Sequence, residues 1–448
     1  MAGYTVLLLG ERTREHSLAI GFNESPHVDK IYWPTTNAAA YSLPKVVKGD
    51  YSRLKSVSDY LTLAKDKGVN FATTGWESLL FGGTSDIFNA NGVPFFGPGR
   101  AGAELERQKA YAKLFMTEFG IPTAPFAIFA DPERAKEYIR QTKGQKFVKL
   151  SGPGDGKGSF PGFTEQEALQ AVDTAREFGD PAKLLVVEDR LYGREASVQA
   201  LLNTRGEVMV VLPVAKDYKR VGEMYRTDAA DGMVARGDVG GQTGSMGCYS
   251  PPSFFTQNVA RRTHERILSP LMHGLLKRGI DYCGVVYPGL MIDDSENPTV
   301  IEINVRPGSK EWEVISDRVK NDTLELMLGT MNGTLRQQDL KIADDYTVGV
   351  ALVSGPIDGH PGYPASGYKT GYPIEGINKV DTDVRVLLGG VSSPDHGKTL
   401  ITSGGTVAVV VASGKTLREA KEKALRNAES IRYANKFYRD DICYEEGV

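Results

Sequence analysis

The sequence predicts a multidomain protein of mixed α/β and α+β class. Its 448 residues exceed what a single hydrophobic core usually organises. The N-terminal part alternates short apolar runs with helical segments, and several runs end at a glycine, as in a Rossmann-like unit. The tail from Tyr346 alternates strand-like runs with glycine turns before a closing helix. We therefore expect an N-terminal Rossmann-like domain and a C-terminal β-rich domain.

Apolar periodicity and turn residues locate the individual elements. Strands are predicted at residues 4–9, 30–33, 70–74, 196–202, 207–214 and 284–292. Helices are predicted at residues 54–67, 102–119, 258–277 and 416–431. Residues 132–191 show the order helix, strand, glycine loop, strand, helix, strand, which is typical of a small separate α+β lobe. The predicted domain bounds are 1–100, a linker helix at 101–124, and then 125–192, 193–335 and 336–448.

The composition argues against several classes of function. A net charge of −3 with 24% charged residues does not favour a nucleic-acid-binding surface. The first strand lacks a following Gly-x-Gly-x-x-Gly, so a dinucleotide site is not favoured. Cys248, Cys283 and Cys443 lie far apart, which indicates free thiols in a reducing compartment. Because no apolar run is long enough for a membrane span or signal peptide, we expect a cytoplasmic protein.

The run at residues 300–306 carries the most informative polar pattern. Glu302, Asn304 and Arg306 alternate with apolar residues, so one strand presents all three on the same face. A carboxylate and an amide oxygen suit a hard cation such as Mg²⁺. The planar fork of an arginine suits a phosphate or a carboxylate. The alternative is a surface strand with a solvated polar face.

A glycine-rich loop at residues 152–158 follows a strand-like run that contains Lys149. Crowded glycine N–H groups can hold an anion, and Lys149 and Lys157 add positive charge. The spacing differs from a Walker loop, because no Ser or Thr directly follows the lysine. A later strand ends at Glu188 and is followed by Glu195, an order that can place backbone groups at an adenine and carboxylates at a ribose. Glycine turns that bind nothing are the alternative.

Several short motifs occur in a fixed order along the chain. They are Arg14-Glu-His16, Phe96-Gly97-Pro98, Glu106-Arg-Gln-Lys109-Ala-Tyr-Ala-Lys113, Asp217-Tyr-Lys219-Arg220, Thr243-Gly-Ser-Met246, Glu302-Ile-Asn304-Val-Arg306, Gly362-Tyr-Pro364 and Tyr438-Arg-Asp-Asp441. With them the sequence resembles the glycinamide ribonucleotide synthetase family of the ATP-grasp superfamily nearly from end to end. The resemblance implies an ATP-grasp fold with an N-terminal preATP-grasp domain, a small lobe or lid at 125–192 and a central domain with a metal site at 193–335.

The resemblance also implies roles for individual residues. ATP would contact Lys109, Lys149, Gly156, Lys157 on a mobile loop, Gly158, Glu188 and Glu195. Mg²⁺, for which Mn²⁺ could substitute, would be held by Glu302 and Asn304. The catalytic group would comprise Asp217, Lys219, Arg220 and Arg306. The amine and amino-acid substrates would meet Arg12, Arg14, Glu15, His16, Asn37, Trp76, Glu77, Ser309, Lys310 and Glu311.

The implied activity is an ATP- and Mg²⁺-dependent carboxylate–amine ligation through an acyl phosphate. Its expected substrates are phosphoribosylamine and glycine, which give glycinamide ribonucleotide in purine biosynthesis. Two alternatives stay open. One is a paralogue that joins a different carboxylate to a different amine, and the other is a non-catalytic nucleotide-binding regulator. We expect small-molecule partners, no nucleic acid or membrane, and a monomer or dimer.

The sequence departs from the family pattern at the expected acceptor pocket. The glycine pair that precedes Arg-Glu-His in the family is Arg12-Thr13 here. The family's Gly-Pro-Glu is Gly75-Trp76-Glu77, and its Asp-Pro after the metal strand is Ser309-Lys310. We expect Arg12, Trp76 and residues 309–311 to line that pocket.

Overall fold

The computed structural model describes residues 3–154, 158–226 and 233–448. The chain opens with a parallel sheet, as predicted for a Rossmann-like unit. Its strands are β1 (Tyr4–Leu9), β2 (Val28–Tyr32), β3 (Phe71–Thr74) and β4 (Phe95–Phe96), in the order β2-β1-β3-β4. The helices are α1 (Thr13–Glu24), α2 (Val57–Asp66), α3 (Glu77–Phe81) and α4 (Thr84–Ala90). Because α1 and α3 begin just after β1 and β3, their first turns lie at the carboxyl edge of the sheet, where open α/β sheets bind ligands.

The predicted single helix at 102–119 is wrong, because the structure has two helices. They are α5 (Arg100–Arg107) and α6 (Lys109–Glu118), and Gln108 between them is extended with φ −125° and ψ 100°. Ser151 from the next lobe stabilises the break. Its carbonyl oxygen accepts from the Lys109 N–H at 2.8 Å, and its hydroxyl accepts from the Ala110 N–H at 3.1 Å. These contacts satisfy donors at the start of α6 that the helix itself leaves unpaired.

The small lobe matches the element order predicted for residues 132–191. It contains β5 (Phe126–Phe129), α7 (Pro132–Thr142), β6 (Lys146–Leu150), β7 (Ser159–Gly162), α8 (Glu165–Arg176) and β8 (Leu185–Asp189). The strands form an antiparallel sheet in the order β5-β8-β6-β7. The register sets Phe147 opposite Glu188 and Lys149 opposite Val186. This lobe has its own apolar core between the sheet and the helices α7 and α8.

The central part of the chain supplies strands to two different sheets. They are β9 (Arg194–Ser197), β10 (Ala200–Asn203), β11 (Val208–Val211), β12 (Lys216–Asp217), β13 (Glu223–Arg226), β14 (Met233–Arg236), β15 (Gly247–Ser250), β16 (Cys283–Ile292) and β17 (Pro298–Asn304). One sheet runs β11-β10-β16-β17, and β9 pairs with the other half of the long β16. The predicted strand at 196–202 is therefore two strands. Ser197 pairs with Gly289 on one side and with Ala215 on the other, and Val198 and Gln199 separate β9 from β10.

The pairing of β16 with β17 contains a register shift. Leu290 pairs with Val300 while Gly289 pairs with Glu302, so Ile301 is an extra residue on β17. Such a β-bulge leaves the extra residue outside the regular ladder. The carbonyl oxygen of Ile301 accepts a hydrogen bond from the Lys149 side chain at 3.4 Å. The bulge therefore connects β17 to the small lobe.

The helices of the central part also differ in detail from the prediction. They are α9 (Gln257–Thr263), α10 (Ser269–Lys277), α11 (Glu311–Arg318) and α12 (Thr323–Met331). The predicted helix at 258–277 is present but contains a π-helical turn at His264–Leu268. Pro270 follows this turn and cannot donate a backbone hydrogen bond, so the wider turn accommodates it within one continuous helical segment.

The C-terminal part is rich in strands, as predicted. It contains β18 (Tyr346–Ser354), β19 (Arg385–Leu388), β20 (Val391–Ser392), β21 (Ile401–Thr402), β22 (Thr406–Gly414), α13 (Leu417–Ser430) and β23 (Lys436–Arg439). The main sheet runs β12-β15-β18-β23-β14-β13, and β22 joins β18 to β19. Strands from residues 216–250 thus share a sheet with the C-terminal part. The predicted boundary at 335/336 does not separate two sheets, and the domain bounds remain a prediction.

No helix among residues 3–154, 158–226 and 233–448 is long and apolar enough to cross a membrane.

Candidate active site

A cavity of about 560 Å³ lies where the small lobe, the linker helices, β12 and β17 meet. It brings together most of the residues predicted to bind ATP or metal or to act in catalysis, although they are far apart in sequence. Those that line it are Lys109, Lys149, Gly158, Glu188, Glu195, Asp217, Lys219, Arg220, Glu302, Asn304 and Arg306. Three predicted substrate residues also line it, namely Glu77, Ser309 and Glu311. The predicted ATP contacts Gly156 and Lys157 lie outside the described residues.

Other cavity residues were not assigned a role from the sequence. They include Glu106, Lys113, Lys216, Tyr287, Tyr444 and Glu445. Glu106 and Lys113 stand in the same motif as Lys109, and Lys113 lies one helical turn beyond Lys109 on α6, a spacing that puts both on one face. That spacing was the signal that could have identified Lys113.

Glu302 and Asn304 face the cavity from β17, two residues apart. A Glu302 carboxylate oxygen lies 3.6 Å from the Lys219 ammonium nitrogen. Burial acts to raise the pKa of Glu302, but the charges of Lys219, Lys109 and Lys149 lower it to about 2. Glu302 is therefore ionised at neutral pH. An ionised carboxylate beside an amide oxygen fits a hard cation that completes its shell with phosphate oxygens and water. Among the residues that the structure describes, no cluster of three or more His, Cys, Asp or Glu side chains forms a closed metal cage.

The Arg306 guanidinium is held between two carboxylates. Its Nε lies 3.2 Å from a Glu77 oxygen, and its Nη2 lies 3.0 Å from a Glu106 oxygen. Arg14 approaches the same Glu77 oxygen at 3.7 Å, and the other Glu106 oxygen accepts from the Val305 N–H at 2.7 Å. We call the series Arg14, Glu77, Arg306 and Glu106 the charge chain. It joins helices α1, α3 and α5 to the residues that follow β17, so Arg306 is already paired rather than an open anion clamp.

Glu188 lies between two buried lysines. One of its oxygens is 2.5 Å from the Lys113 ammonium, and the other contacts the Lys149 ammonium. Burial acts to raise the pKa of Glu188, but Lys149 and Lys113 lower it below its ordinary value. Burial lowers the pKa of Lys113 to about 8 despite the nearby carboxylate. This lysine–glutamate–lysine cluster neutralises part of the positive charge on the small-lobe side of the cavity.

Asp217 is a buried carboxylate whose Oδ1 has no hydrogen-bond partner among the described residues. Burial first, and then the charge of Glu311, raise the pKa of Asp217 to about 7, although Lys219 opposes the shift. Glu311 is itself held by the Tyr287 hydroxyl at 2.6 Å and the Ser197 hydroxyl at 3.3 Å. The two carboxylates give this end of the cavity an acidic wall.

Several predicted substrate residues are not brought to the cavity wall. The His16 Nδ1 accepts from the Leu388 N–H at 2.8 Å, and burial lowers the pKa of His16 to about 3. The Asn37 side-chain amide donates to the Leu388 carbonyl at 2.8 Å. These contacts join the N-terminal sheet region to β19. Arg12, Arg14, Glu15, Trp76 and Lys310 also lie outside the set of lining residues.

Two of the departures from the family pattern meet at one carboxylate. The Thr13 hydroxyl donates to a Glu313 oxygen at 2.6 Å. The Lys310 N–H donates to the other Glu313 oxygen at 2.8 Å. Lys310 has φ +81°, a conformation that side chains rarely adopt. The altered N-terminal loop and the altered turn after β17 therefore contact the same carboxylate.

The paired antiparallel sheets around a lysine-rich cavity define a protein of the ATP-grasp class. A biotin carboxylase from Campylobacter jejuni has the same fold, with a TM-score of 0.71 at 14% identity over 96% of this chain and 92% of that one. Family models described as the phosphoribosylglycinamide synthetase N domain, ATP-grasp (A) domain and C domain match residues 4–106, 107–312 and 348–445.

Full-length relatives agree with these matches. The chain is 34% identical over 443 residues to the phosphoribosylamine–glycine ligase of Vibrio cholerae. The match covers 98% of this chain and 97% of the relative. A crystal structure of phosphoribosylamine–glycine ligase from Thermotoga maritima matches with a TM-score of 0.77 at 26% identity, over 98% of this chain and 99% of that one. The chain belongs to the phosphoribosylglycinamide synthetase family. The predicted family and ATP-grasp fold are thereby confirmed.

Proposed function

We propose that this protein joins phosphoribosylamine to glycine in an ATP-dependent ligation that yields glycinamide ribonucleotide, ADP and phosphate, a step of purine biosynthesis. The match to the family over nearly the whole chain carries the proposal. The cavity supports it, because it gathers lysines for phosphates, an oxygen pair for a cation and an acidic wall for an amine.

The ATP end of the cavity lies beneath the small lobe. Lys109 and Lys149 hold the phosphates, and Glu188 and Glu195 lie towards the nucleoside. Glu302 and Asn304 hold Mg²⁺, which neutralises phosphate charge when bound. Phosphoryl transfer is mainly a matter of positioning and charge neutralisation, so it needs no protein nucleophile. The negative charge of Glu302 also offsets the three lysines before nucleotide arrives.

The acceptor end performs two displacement steps. A glycine carboxylate oxygen, held by Lys219 and Arg220, attacks the γ-phosphorus of ATP, and the bond to the ADP oxygen breaks. The amine nitrogen then attacks the acyl carbon, and phosphate leaves with the electrons of the broken C–O bond. The amine must lose a proton, which Asp217 accepts through its unpartnered oxygen. The charge chain fixes the Arg306 guanidinium in the cavity wall through Glu77 and Glu106.

The role of Asp217 predicts a pH dependence. Only the ionised carboxylate can accept a proton, and its pKa of about 7 makes the ionised fraction increase through neutral pH. We expect kcat to increase with pH up to a plateau above about 7. Asp217→Asn should lose this increase of kcat with pH, and it should lose most of the rate as well. The measurement is the pH profile of single-turnover product formation in both proteins. If Asp217→Asn kept the same increase of the rate with pH, a different group would accept the proton of the amine.

A second prediction concerns Arg12, which replaces a family glycine at the start of α1. Burial acts to raise the pKa of Glu77, but the charges of Arg306, Arg14 and Arg12, in decreasing order, lower it to about 2. Arg12 therefore lies within electrostatic reach of the charge chain. If Arg12 holds the phosphate of the ribosylamine, Arg12→Ala should raise the KM for phosphoribosylamine about tenfold, as expected for one charged hydrogen bond. The KM for ATP should change much less. The exposed Arg53→Ala is the matched control, and equal effects of both variants would contradict the assignment.

The direct test of the function is ADP release with phosphoribosylamine and glycine, followed by identification of the product by mass spectrometry. The coupled departures at Glu313 support one alternative, a ligase for a different carboxylate and amine. ADP release with other amino acids or amines, but not with this pair, would establish that alternative. Tight ATP binding without ADP release from any pair would establish the nucleotide-binding regulator.

The free cysteines support a reducing location such as the cytoplasm. Cys248 and Cys443 are buried thiols, and Cys283 is partly buried without a disulfide partner. Whether the protein is a monomer or a dimer remains a prediction, to be measured by sedimentation.

A further inference from the structure

Four of the five residues at 216–220 line the cavity, and Tyr218 in the middle is directed away from it. Asp217 and Lys219 are its two neighbours in this run. Tyr218 is 2% exposed and is directed into the C-terminal part of the protein. The position of the two cavity residues therefore depends on what holds Tyr218.

Residues 439–446 hold Tyr218 through several contacts, and we call them the anchor segment. The Tyr218 hydroxyl donates to a Glu445 carboxylate oxygen and accepts from the Cys443 N–H at 2.8 Å. The Arg439 guanidinium lies over the Tyr218 ring, 5.2 Å from its centroid. Tyr444 packs against the same ring, with the centroids 5.7 Å apart. The ring is thus fixed at its edge, its face and its hydroxyl.

The anchor segment also contacts the residues on both sides of Tyr218, through the backbone of Arg220 and the side chain of Lys216. Arg439 is fully buried, and its Nη1 donates to the Arg220 carbonyl oxygen at 3.0 Å. Asp441 fixes the same guanidinium through contacts of 2.8 and 2.9 Å. On the other side, Glu445 lies 3.7 Å from the Lys216 ammonium. The anchor segment therefore contacts residues 216–220 at both ends as well as in the middle.

A neighbouring strand is held in the same way. Glu446 accepts from the Tyr249 hydroxyl at 2.8 Å and from the Ser253 N–H at 3.0 Å. Tyr249 lies on β15, which pairs directly with β12. Tyr444 and Glu445 themselves line the cavity. The anchor segment is thus continuous with the wall of the site, more than two hundred residues away in sequence from the loop it holds.

We propose that the anchor segment is a positioning element of the active site and that Tyr218 is the positioning residue through which it sets Asp217 and Lys219. Both side chains must reach substrate atoms, and a displacement of about 1 Å can cost about 100-fold in rate. The expected effect on turnover rests on the proposed ligase function. The expected effect on the stability of residues 215–221 does not.

The experiment compares Tyr218→Phe with Tyr433→Phe. Both remove one buried phenol hydroxyl, because the Tyr433 hydroxyl donates to the Val353 carbonyl at 2.9 Å in the core, away from the cavity. We expect similar decreases in thermal stability in the two variants. Amide hydrogen exchange at residues 215–221 should become faster only in Tyr218→Phe. In the ADP-release assay, kcat should decrease about tenfold or more in Tyr218→Phe, with little change in the KM for ATP.

Equal exchange at residues 215–221 in the two variants would overturn the proposal, whatever the substrates are. Faster exchange with an unchanged kcat would also overturn it, because the loop would then move without consequence. If the wild-type protein does not use phosphoribosylamine and glycine, the exchange comparison alone decides the proposal, and only the ligase function fails. Should Tyr218→Phe not fold, Glu445→Gln is measured in the same way against the exposed control Glu422→Gln.

Discussion

Replacing Glu302 with glutamine is expected to lower the rate of ADP release by about 100-fold or more, the scale of a lost electrostatic contact in an active site. Glutamine keeps the size of the side chain but removes the charge that pairs with Lys219 at 3.6 Å. It also removes one of the carboxylates whose charge acts on Lys109 and Lys149. We expect Glu302→Gln to need much more Mg²⁺ for half-maximal activity and to bind MgATP less tightly, as measured by calorimetry.

The exposed Glu165→Gln on α8 serves as the control for Glu302→Gln. It should retain wild-type turnover and Mg²⁺ dependence. A near-normal rate of ADP release at unchanged Mg²⁺ in Glu302→Gln would show that the cation is held elsewhere.

Replacing Glu188 with glutamine is expected to destabilise the small lobe by about 3–5 kcal/mol, the cost of leaving buried charges without their partner. Lys113 and Lys149 would face each other with no carboxylate between them. The slowest-exchanging amides of β6 and β8 should then exchange faster, because Glu188 lies on β8 and Lys149 on the paired β6. The affinity for ATP should decrease as well, because Lys149 loses the group that orients it.

A second substitution separates charge from packing in this cluster. In Glu188→Gln/Lys113→Met, one of the two unpaired ammonium groups is replaced by an apolar chain of similar length. We expect this variant to recover part of the lost protection in β6 and β8, since contacting residues show non-additive effects. If Lys113→Met instead lowers the protection of β6 and β8 further in the double variant, the destabilisation does not come from unpaired charge.

Local patterns were sufficient to predict the order of most elements. The apolar run before Gly10 and the helix–strand–loop order of residues 132–191 depend on nearby residues, and the structure has both. The break at Gln108 depends on Ser151, which contacts it from another lobe. Glutamine is a good helix former, so nothing in the local sequence indicates an interruption. Where residues 196–202 divide, the partners are also distant in sequence, because the Val198 N–H donates to the Pro288 carbonyl and the Gln199 carbonyl accepts from the Leu212 N–H.

The same distinction applies to the site. Glu302 and Asn304 were predictable because strand alternation alone puts them on one face. The pairing of Arg306 was not, because Glu77 and Glu106 approach it from two other elements. His16 stands in a recognisable motif, yet its ring nitrogen is used by Leu388 of a distant strand. Sequence patterns identify which side chains carry the chemistry, while long-range contacts decide which of them remain available to a substrate.

The extra residue in β17 restricts how the gene can change in length. Loss of one codon at Ile301 would restore regular pairing with β16 and leave Glu302 opposite Gly289, so Glu302 and Asn304 would keep their face. Loss of a paired residue is different, because a shift of one residue turns every later side chain of a strand to the opposite face. Loss of Ile303 would turn Asn304 to the buried face that Ile303 occupies. Substitutions at Ile301 keep the register, and so does an insertion in the exposed turn at residues 293–296. We therefore expect descendants of this sequence to vary in length before Pro298 or at Ile301, but not between Glu302 and Asn304.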